Sequence, residues 1–362
     1  MQPLRILYVP NEDGDFRQVG FRRPLANLLN AGLIHEISVF SLQWRIRNGG
    51  DAEHHRRSLV ERVREFQPNL ILMQHVGSTG LKDSHFKSMR DAADFELIYH
   101  EADPYSRFLH PLPSSAKAAG RASDVVFTVG TGTFSKNFLR SGAKDVRWAS
   151  HVFETERYRY AEVSNEETRP HDVVVVANKN TPRFRGLPNW KDRIRFIGVL
   201  QERFGDRLAI YGNGWSGVGA MGPVDFSKQS AAIRTAWVSA NWDHFADEPS
   251  YFSNRLPISL AAGSIHATTF HPRYDEIFPE ATREFLLTNQ TQEALADSIA
   301  HYLGTTPPVD RIAAARRAQV FAYEKYRQDD QVVQLLNFRT PWIDARKASA
   351  TWDIDADPVT DL

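Results

Sequence analysis

The chain has 362 residues, of which 42% are hydrophobic, and its 44 basic and 44 acidic residues give a formal net charge of zero. This length and apolar content predict about two packed domains, and the balanced charge excludes a whole-molecule attraction to nucleic acid or to an anionic membrane. The absence of cysteine excludes disulfides, thiolate metal sites and cysteine nucleophiles.

Short apolar runs alternate with segments of helical period through the first half of the chain. The runs lie at residues 6–9, 37–40, 70–73, 97–99 and 125–129. The helical segments include residues 22–29, 59–66 and 134–139. Nearly continuous apolar strands separated by helices are typical of a parallel sheet that is covered on both faces.

The same alternation resumes in the second half and predicts a second doubly wound sheet. Its apolar runs lie at residues 173–176, 208–211, 236–240, 265–270 and 285–287. The polar stretch 161–170 has the composition of a linker between domains. We therefore predict a first α/β domain at 1–162 and a second at 163–322. A final helix at 323–345 and an acidic, exposed tail at 346–362 with the composition of a disordered segment would follow.

The N-terminal sequence enters a predicted strand directly, without the features of a signal peptide. No run approaches the ~18 apolar residues of a membrane span. A cytoplasmic protein without a nucleic-acid partner is the expectation, and peripheral contact with a membrane stays open.

Ligands of open α/β sheets bind beyond the carboxyl ends of the strands, so the loops that follow the predicted strands hold the candidate site residues. In the loop at residues 11–24, Gly20 offers an open backbone for close approach of a phosphate. The loop after Tyr99 carries His100 and Asp103, which could position or deprotonate a hydroxyl group. The alternatives are a charged surface loop in the first case and a turn capped by Asp103 in the second.

A basic loop follows the first strand of the second half. Its Lys179, Arg183 and Arg185 lie within seven residues of one another. Lys179 and Arg185 are candidates for a charge-stabilising role, and the alternative is a solvated basic loop.

The segment YGNGWSGVG places Gly212, Gly214 and Gly217 in G-x-G-x-x-G spacing directly after a predicted strand. No helix opens at once, so the segment predicts a turn of close approach rather than a dinucleotide fingerprint. Trp215 in this turn could stack on a base or cover the domain core.

Ser253 and Asn254 are favourable N-cap residues for a short helix that starts near Arg255 and stops at Gly263. The first turn of a helix presents unpaired N–H groups and the positive end of the helix dipole, here beside the Arg255 guanidinium. This combination predicts a site for an anion such as a diphosphate. The alternative is a capped helix whose arginine faces water.

The segment at residues 253–277 resembles the donor-binding segment of GT-B glycosyltransferases, especially the CgeB-like, GT4-like branch. In that branch an asparagine or serine precedes an arginine and a small-residue helix that ends in Ala-x-Gly, as in Arg255, Ala261 and Gly263. Four further pieces resemble the family in the required order: residues 121–158, 171–180, 207–215 and 291–303. One departure is Ile258, where these enzymes usually carry a glutamate that holds the ribose.

The resemblance implies a GT-B fold of two Rossmann-like domains that face a central cleft, with the acceptor in the first domain and the donor in the second. It implies a metal-independent hexosyltransferase that uses a nucleotide-diphosphate sugar and no other cofactor. The final helix would cross back to the first domain. The residues implied to bind the donor are Gly20, Lys179, Arg185, Gly212, Trp215, Ser253, Asn254 and Arg255. His100 and Asp103 would be the catalytic residues.

Three alternatives remain open. A nucleotide-sugar epimerase would share the fold, and a catalytically inactive GT-B scaffold is favoured by Ile258. A two-domain solute-binding protein is disfavoured by the missing export signal. No metal site is expected, because the D-x-D patterns at 13–15 and 353–355 are short and adjacent His54 and His55 lack ligand spacing.

Overall fold

The structure is a computed structural model, and it describes residues 3–12, 19–106, 110–181 and 187–352. The chain divides into two compact units. The first unit comprises Met1–Ser150 and Gln328–Leu362, and the second comprises His151–Arg327. The division at Ser150 falls ahead of the boundary expected at residue 162, and the chain returns to the first unit at Gln328, inside the segment expected to cross back.

The first unit contains a six-stranded parallel sheet. Its strands are β1 (Arg5–Val9), β2 (Glu36–Val39), β3 (Leu70–Gln74), β4 (Glu96–Glu101), β5 (Val125–Thr128) and β6 (Val146–Trp148). Their order across the sheet is β2-β1-β3-β4-β5-β6, and every pair is parallel.

The second unit contains another six-stranded parallel sheet. Its strands are β7 (His171–Val176), β8 (Leu208–Tyr211), β9 (Ala220–Gly222), β10 (Ala236–Ala240), β11 (Ile265–Thr269) and β12 (Leu286–Asn289). Their order is β12-β11-β10-β7-β8-β9. Two parallel sheets with helical crossovers confirm the predicted doubly wound α/β class.

Helices connect the strands of both units. They are α1 (Val19–Asn30), α2 (Leu42–Asn48), α3 (Ala52–Phe66), α4 (Asp83–Ala92), α5 (Ser114–Ala122), α6 (Thr133–Arg140), α7 (Trp190–Phe204), α8 (Gln229–Arg234), α9 (Arg255–Ala261), α10 (Tyr274–Ile277), α11 (Gln292–Thr305), α12 (Pro308–Lys325), α13 (Gln328–Leu336) and α14 (Ala345–Ser349). Within the described residues, no helix is long and apolar enough to cross a membrane.

Alternate residues of a strand belong to two different buried clusters, which explains why the sequence shows continuous apolar runs. In β1, Leu7 and Val9 belong to one buried cluster, and Ile6 and Tyr8 belong to another. Successive side chains point to opposite faces of a strand, and both faces of this sheet are covered. A strand that is buried on both faces is therefore apolar at every position, so its two-residue period is not visible in the sequence.

Strands β6 and β9 were not predicted. Each has three residues, occupies the edge of its sheet, and is at most half-buried. An edge strand with little buried surface needs few apolar residues, so the hydrophobic pattern carries no signal for it.

The C-terminal segment packs more extensively than the sequence suggested. The apolar side of α13, including Val332 and Leu336, joins the buried cluster that contains Phe21 and Leu25 of α1. The expected exposed tail from residue 346 begins instead within α14. Trp352 is buried, and its indole N–H donates to Asp330 at 2.9 Å. Residues 353–362, including one D-x-D pattern, lie outside the described residues.

Candidate functional site

A pocket of about 330 Å³ lies at the carboxyl ends of β7 and β8, against the start of α9. Its lining includes Val176, Tyr211, Gly212, Gln229, Arg255 and Ile258. The position agrees with the general rule that open α/β sheets bind ligands beyond their strand ends. All of these residues belong to the second unit.

Arg255 is held at the pocket wall by its own unit. Its Nε–H donates to the Val176 carbonyl at 2.8 Å, and Nη1 donates to Ser253 Oγ at 3.1 Å. Burial lowers the pKa of Arg255, since removing the guanidinium from water disfavours its charge. Among the described residues, no carboxylate forms an ion pair with Arg255. Within the part of the chain that the structure describes, the pocket therefore contains a fixed cation that no carboxylate contacts directly.

The start of α9 is not capped by Asn254. This residue occupies the N-cap position but makes no side-chain capping bond, and it lines the pocket with Arg255. Ser253 Oγ instead accepts from the backbone N–H of Arg255, at 3.4 Å. Gly263 stops the helix with a φ of +81°, in the left-handed conformation predicted for it.

The glycine turn after β8 packs against the backbone that follows β7, and both segments line the pocket. Gly212 has a φ of +145°, and a Cβ atom there would come closer than 3.0 Å to the carbonyl group of Ala177. Asn178 Oδ1 accepts from the N–H of Asn213 at 2.8 Å, which fastens the two loops to each other. Only glycine fits a left-handed position at such close approach.

Lys179 and Trp215 lie beside each other in these two loops. The Trp215 indole N–H donates to the Ala177 carbonyl at 2.6 Å, and Lys179 Nζ lies 5.6 Å from the centroid of the indole ring. Neither residue lines the pocket. Arg183 and Arg185 lie outside the described residues. The donor contacts expected of Lys179, Trp215 and Arg185 stay predictions.

A buried polar network lies beyond the ends of β10 and β11 in the same unit. His271 Nε2 donates to Asp243 Oδ2 at 2.9 Å, and Arg193 donates through Nε to the Trp242 carbonyl at 2.8 Å. Burial opposes ionisation of Asp243. The hydrogen bond from His271 and the charges of His271 and Arg193 outweigh it, so the pKa of Asp243 lies well below its usual range. Asp243 is therefore a fixed anion whose field also favours the charge on Arg255.

Acid should destabilise the second unit through His266. Burial lowers the pKa of this fully buried side chain from 6.5 to about 4. The unfolded chain takes up a proton near pH 6.5 and the folded chain only near pH 4. Stability is therefore fully present above pH 6.5 and is lost as the pH falls through this window. We expect His266 to account for a loss of about 2 kcal/mol between pH 7 and pH 5.

Urea unfolding at both pH values, on wild type and His266→Gln, measures this contribution. The variant should lose less stability on acidification than wild type. His301→Gln, at an exposed position of the same unit, should behave as wild type. An equal loss in wild type and His266→Gln would contradict the prediction.

Two candidates of the first unit, Gly20 and His100, lie in α1 and β4. Gly20 is buried in the first turn of α1, rather than in the open loop expected for it, because the helix begins at Val19. His100 is buried at the end of β4, with Nδ1 at 3.3 Å from the amide Nε2 of Gln74. With Gln74 as donor, a neutral His100 keeps its proton on Nε2. This favours positioning over proton abstraction at that nitrogen.

The Asp103 side chain is 55% exposed and lies beside His75. His75 directly follows β3, and the sequence analysis did not identify it as a candidate site residue. His75 Nε2 lies 3.1 Å from Asp103 Oδ2, and Nδ1 lies 2.5 Å from Glu101 Oε1. The three side chains offer ligand atoms within 4.8 Å of one another. His75 lies two residues after the predicted strand at 70–73, so the same rule about strand ends could have found it.

The residues from 193 to 337 match the family model described as glycosyl transferase-like. This match covers less than half of the chain and includes β8, β9 and α9. No curated protein matches the chain.

Solved structures resemble the chain over nearly its whole length. HepE from Anabaena, in complex with UDP-glucose, has a TM-score of 0.57 and 14% identity over 92% of this chain and 100% of that chain. The sucrose-phosphate synthase of Thermosynechococcus elongatus has a TM-score of 0.55 and 14% identity over 93% and 98%. A putative UDP-N-acetylglucosamine 2-epimerase from Listeria monocytogenes has a TM-score of 0.51 and 11% identity over 94% and 99%.

These likenesses confirm the predicted fold class, which is the α/β GT-B fold of two parallel-sheet units. The glycosyl transferase-like segment contains Arg255 and Gly212, two of the predicted site residues that line the pocket. The CgeB-like branch stays a prediction.

Proposed function

We propose that the chain is a glycosyltransferase that binds a nucleotide sugar in the pocket of the second unit and passes the sugar to an acceptor. The observation that carries this proposal is the Arg255 guanidinium, fixed by Val176 and Ser253 and lacking a carboxylate partner among the described residues. A desolvated cation is costly unless an anion accompanies it. A bound diphosphate would supply that anion.

The pocket fits this type of ligand in size and chemistry. Its volume of about 330 Å³ falls in the range of small-molecule sites, ~300–1,000 Å³. Gly212 lets the main chain approach the ligand closely, because no Cβ atom stands between them. The glycosyl transferase-like match over residues 193–337 and the UDP-glucose named for HepE support the assignment. No metal or further cofactor is part of the proposal.

Two alternatives remain, each with an observation behind it. Ile258 lines the pocket, 8% exposed, where the resembled enzymes carry the ribose-binding glutamate. An inactive GT-B binding protein would account for that departure. An epimerase, the activity named for the Listeria structure, would convert the nucleotide sugar without an added acceptor, so product analysis in the absence of acceptor distinguishes it.

Gln229 provides a prediction about the nucleobase. The buried Tyr158 hydroxyl donates to Gln229 Oε1 at 3.1 Å, and burial raises the pKa of Tyr158, so the hydroxyl stays a donor. The Gln229 amide then presents its Nε2 donors to the pocket, which favours a carbonyl such as O4 of uracil or O6 of guanine over the amino group that cytosine carries at position 4. Gln229→Glu replaces this donor by an acceptor and should weaken UDP binding about 10- to 100-fold.

Titration of wild type and Gln229→Glu with UDP and CDP measures that effect. CDP, whose base carries an amino group, should not lose affinity in the variant. A parallel loss for both nucleotides would contradict the assignment of Gln229 to base recognition while leaving the diphosphate site untouched.

Isothermal titration of the wild-type chain with UDP, GDP, dTDP and CMP tests the proposed function itself. We expect one diphosphate to bind selectively. The corresponding sugar donor should then be hydrolysed slowly in water and faster with an acceptor. No binding by any of these nucleotides would overturn the proposal, and binding without turnover would favour the inactive scaffold.

A further inference from the structure

The wall of the second unit's pocket is apolar next to Arg255. Ile258 lies three residues after Arg255 in α9, is 8% exposed and lines the same pocket. Its backbone N–H donates to the Asn254 carbonyl at 3.2 Å, and its carbonyl accepts from the Ala262 N–H at 3.0 Å. A β-branched side chain held in a helix has one strongly preferred rotamer. Ile258 therefore presents a rigid hydrocarbon surface one helical turn away from the guanidinium.

The polar side chains that line the pocket are neutral or cationic at neutral pH throughout the described part of the chain. They belong to Asn178, Tyr211, Asn213, Gln229, Asn254 and Arg255. A carboxylate is the group best suited to hold the two adjacent hydroxyls of a ribose, because each of its oxygens accepts a hydrogen bond. This pocket instead places an isoleucine beside the cation. A hydroxyl group that faces Ile258 loses a hydrogen bond to water and gains none.

The two ends of a bound nucleotide fix where its ribose lies. The diphosphate on C5′ is proposed to bind Arg255, the first residue of α9, and the base on C1′ is proposed to bind Gln229, the first residue of α8. Helices α8 and α9 contact each other, so a ribose between these two residues lies along α9. Arg255 and Ile258 are the α9 residues in the described lining of the pocket. Ile258 is therefore the α9 side chain that meets the ribose.

An aromatic ring lies on the base side of the pocket. A short 3₁₀ helix at Phe226–Lys228 leads directly into α8, and Phe226 lines the pocket with 52% of its surface exposed. Phe226 lies three residues before Gln229, a spacing that places two side chains on the same side of a helix. The Arg157 guanidinium lies 4.0 Å from the centroid of the ring. In a pyrimidine, carbon 5 neighbours the O4 carbonyl proposed to bind Gln229, so a methyl group on carbon 5 would reach Phe226.

We propose that the donor is a 2′-deoxyribonucleoside diphosphate sugar whose base is a methylated keto pyrimidine, that is, a dTDP-sugar. Ile258 selects against the 2′-hydroxyl group, and Phe226 selects for the 5-methyl group. Both selections rest on the proposed function and name the donor class of the same pocket. All of the residues involved belong to the second unit.

Four nucleoside diphosphates separate the two selections: UDP, dUDP, 5-methyl-UDP and dTDP. Isothermal titration of the wild-type chain with each of them measures the hydroxyl and methyl effects independently. We expect removal of the 2′-hydroxyl to tighten binding about 10-fold, since an apolar wall rejects an added hydroxyl by at most about 100-fold. We expect the methyl group to tighten binding about 4-fold, the effect of burying one small apolar group. If the two effects add, dTDP binds about 40-fold more tightly than UDP.

Substitutions assign each selection to its side chain. Ile258→Glu should reverse the first preference, so that UDP binds more tightly than dUDP. The ratio of the two affinities is compared, because the new charge weakens the binding of both diphosphates. Phe226→Ala should make dTDP and dUDP bind equally. Val218→Ala, at a position of the same unit that is 47% exposed and does not line the pocket, should keep both wild-type ratios.

Ile258→Gln covers the case in which a buried glutamate prevents folding, which a thermal unfolding scan reveals. This neutral side chain can accept a hydrogen bond from the 2′-hydroxyl, so the preference for dUDP over UDP should disappear. Wild-type ratios in folded Ile258→Gln and Phe226→Ala proteins would contradict the roles assigned to these side chains.

The wild-type titrations also separate this proposal from the proposed function. Tightest binding of dTDP, with each ratio lost in its matching variant, supports the dTDP-sugar assignment. UDP binding as tight as dUDP binding, dUDP binding as tight as dTDP binding, or selective binding of GDP overturns it and leaves the nucleotide site standing. Failure of all four pyrimidine nucleotides and of GDP and CMP to bind overturns the proposed function instead.

Discussion

Replacing Arg255 with alanine is expected to weaken nucleoside diphosphate binding at least 100-fold and to abolish sugar transfer. The guanidinium is the charged donor at the pocket wall, and a hydrogen-bonded charge contact of this type contributes about 3 kcal/mol, or about two powers of ten in affinity. The fold should persist, because the variant removes a desolvated cation that has no carboxylate partner among the described residues. Isothermal titration with the selected nucleotide and a thermal unfolding scan measure the two effects.

Two control variants test whether the loss of binding is specific to the Arg255 guanidinium. Arg255→Lys keeps the charge but loses the paired donors that reach Val176 and Ser253, and it should bind with intermediate affinity. Arg195→Ala removes an exposed arginine of the same unit, paired with Glu293, and should bind as wild type does. Wild-type affinity in a folded Arg255→Ala protein would remove this residue from the site.

Replacing Gly212 with alanine is expected to destabilise the second unit by about 3 kcal/mol or more and to eliminate nucleotide binding. The added Cβ would overlap the carbonyl group of Ala177, which is backbone and cannot turn aside. Gly212 also donates its N–H to the Gly222 carbonyl at 2.8 Å. Relief of the clash must therefore separate β7 from β8 or break this bond. Urea unfolding measures the loss of stability.

Gly222→Ala is the matched control for that prediction. Gly222 has a φ of +79°, but a Cβ atom there would meet nothing within 4 Å. Gly222→Ala should therefore lower the free energy of unfolding only through backbone strain, by about 1–2 kcal/mol. The difference between the two variants therefore measures the steric clash. Equal stability of the two would contradict the close approach seen at Ala177.

The buried strands were predictable from the sequence, because a strand that is covered on both faces of the sheet requires apolar side chains at successive positions. The strand at Leu208–Tyr211 and the strand at Ala236–Ala240 have the bounds predicted for them. The edge strands β6 and β9 left no comparable pattern, because their pairing is carried by the backbone.

The candidate site was partly predictable for a similar reason. Gly212 and Gly263 mark left-handed backbone positions that few other residues adopt, and Arg255 follows a helix-start pattern. Gln229 was not identifiable, because its place at the pocket depends on the Tyr158 hydroxyl, 71 residues earlier in the chain. His75 was missed although it follows a strand directly, because its partners Glu101 and Asp103 belong to a different strand end.

Sequence patterns alone predicted two doubly wound α/β halves, a glycine turn after the strand that is β8 and an arginine at the start of the helix that is α9. These features are local, since apolar runs, left-handed glycines and helix starts depend on neighbouring residues. The three-dimensional arrangement was needed to show that Arg255 forms no ion pair with a carboxylate among the described residues and that His75 bridges Glu101 and Asp103. Pairing of charges across 26 residues or more follows from strand order and register, and a single sequence does not encode these in any short segment.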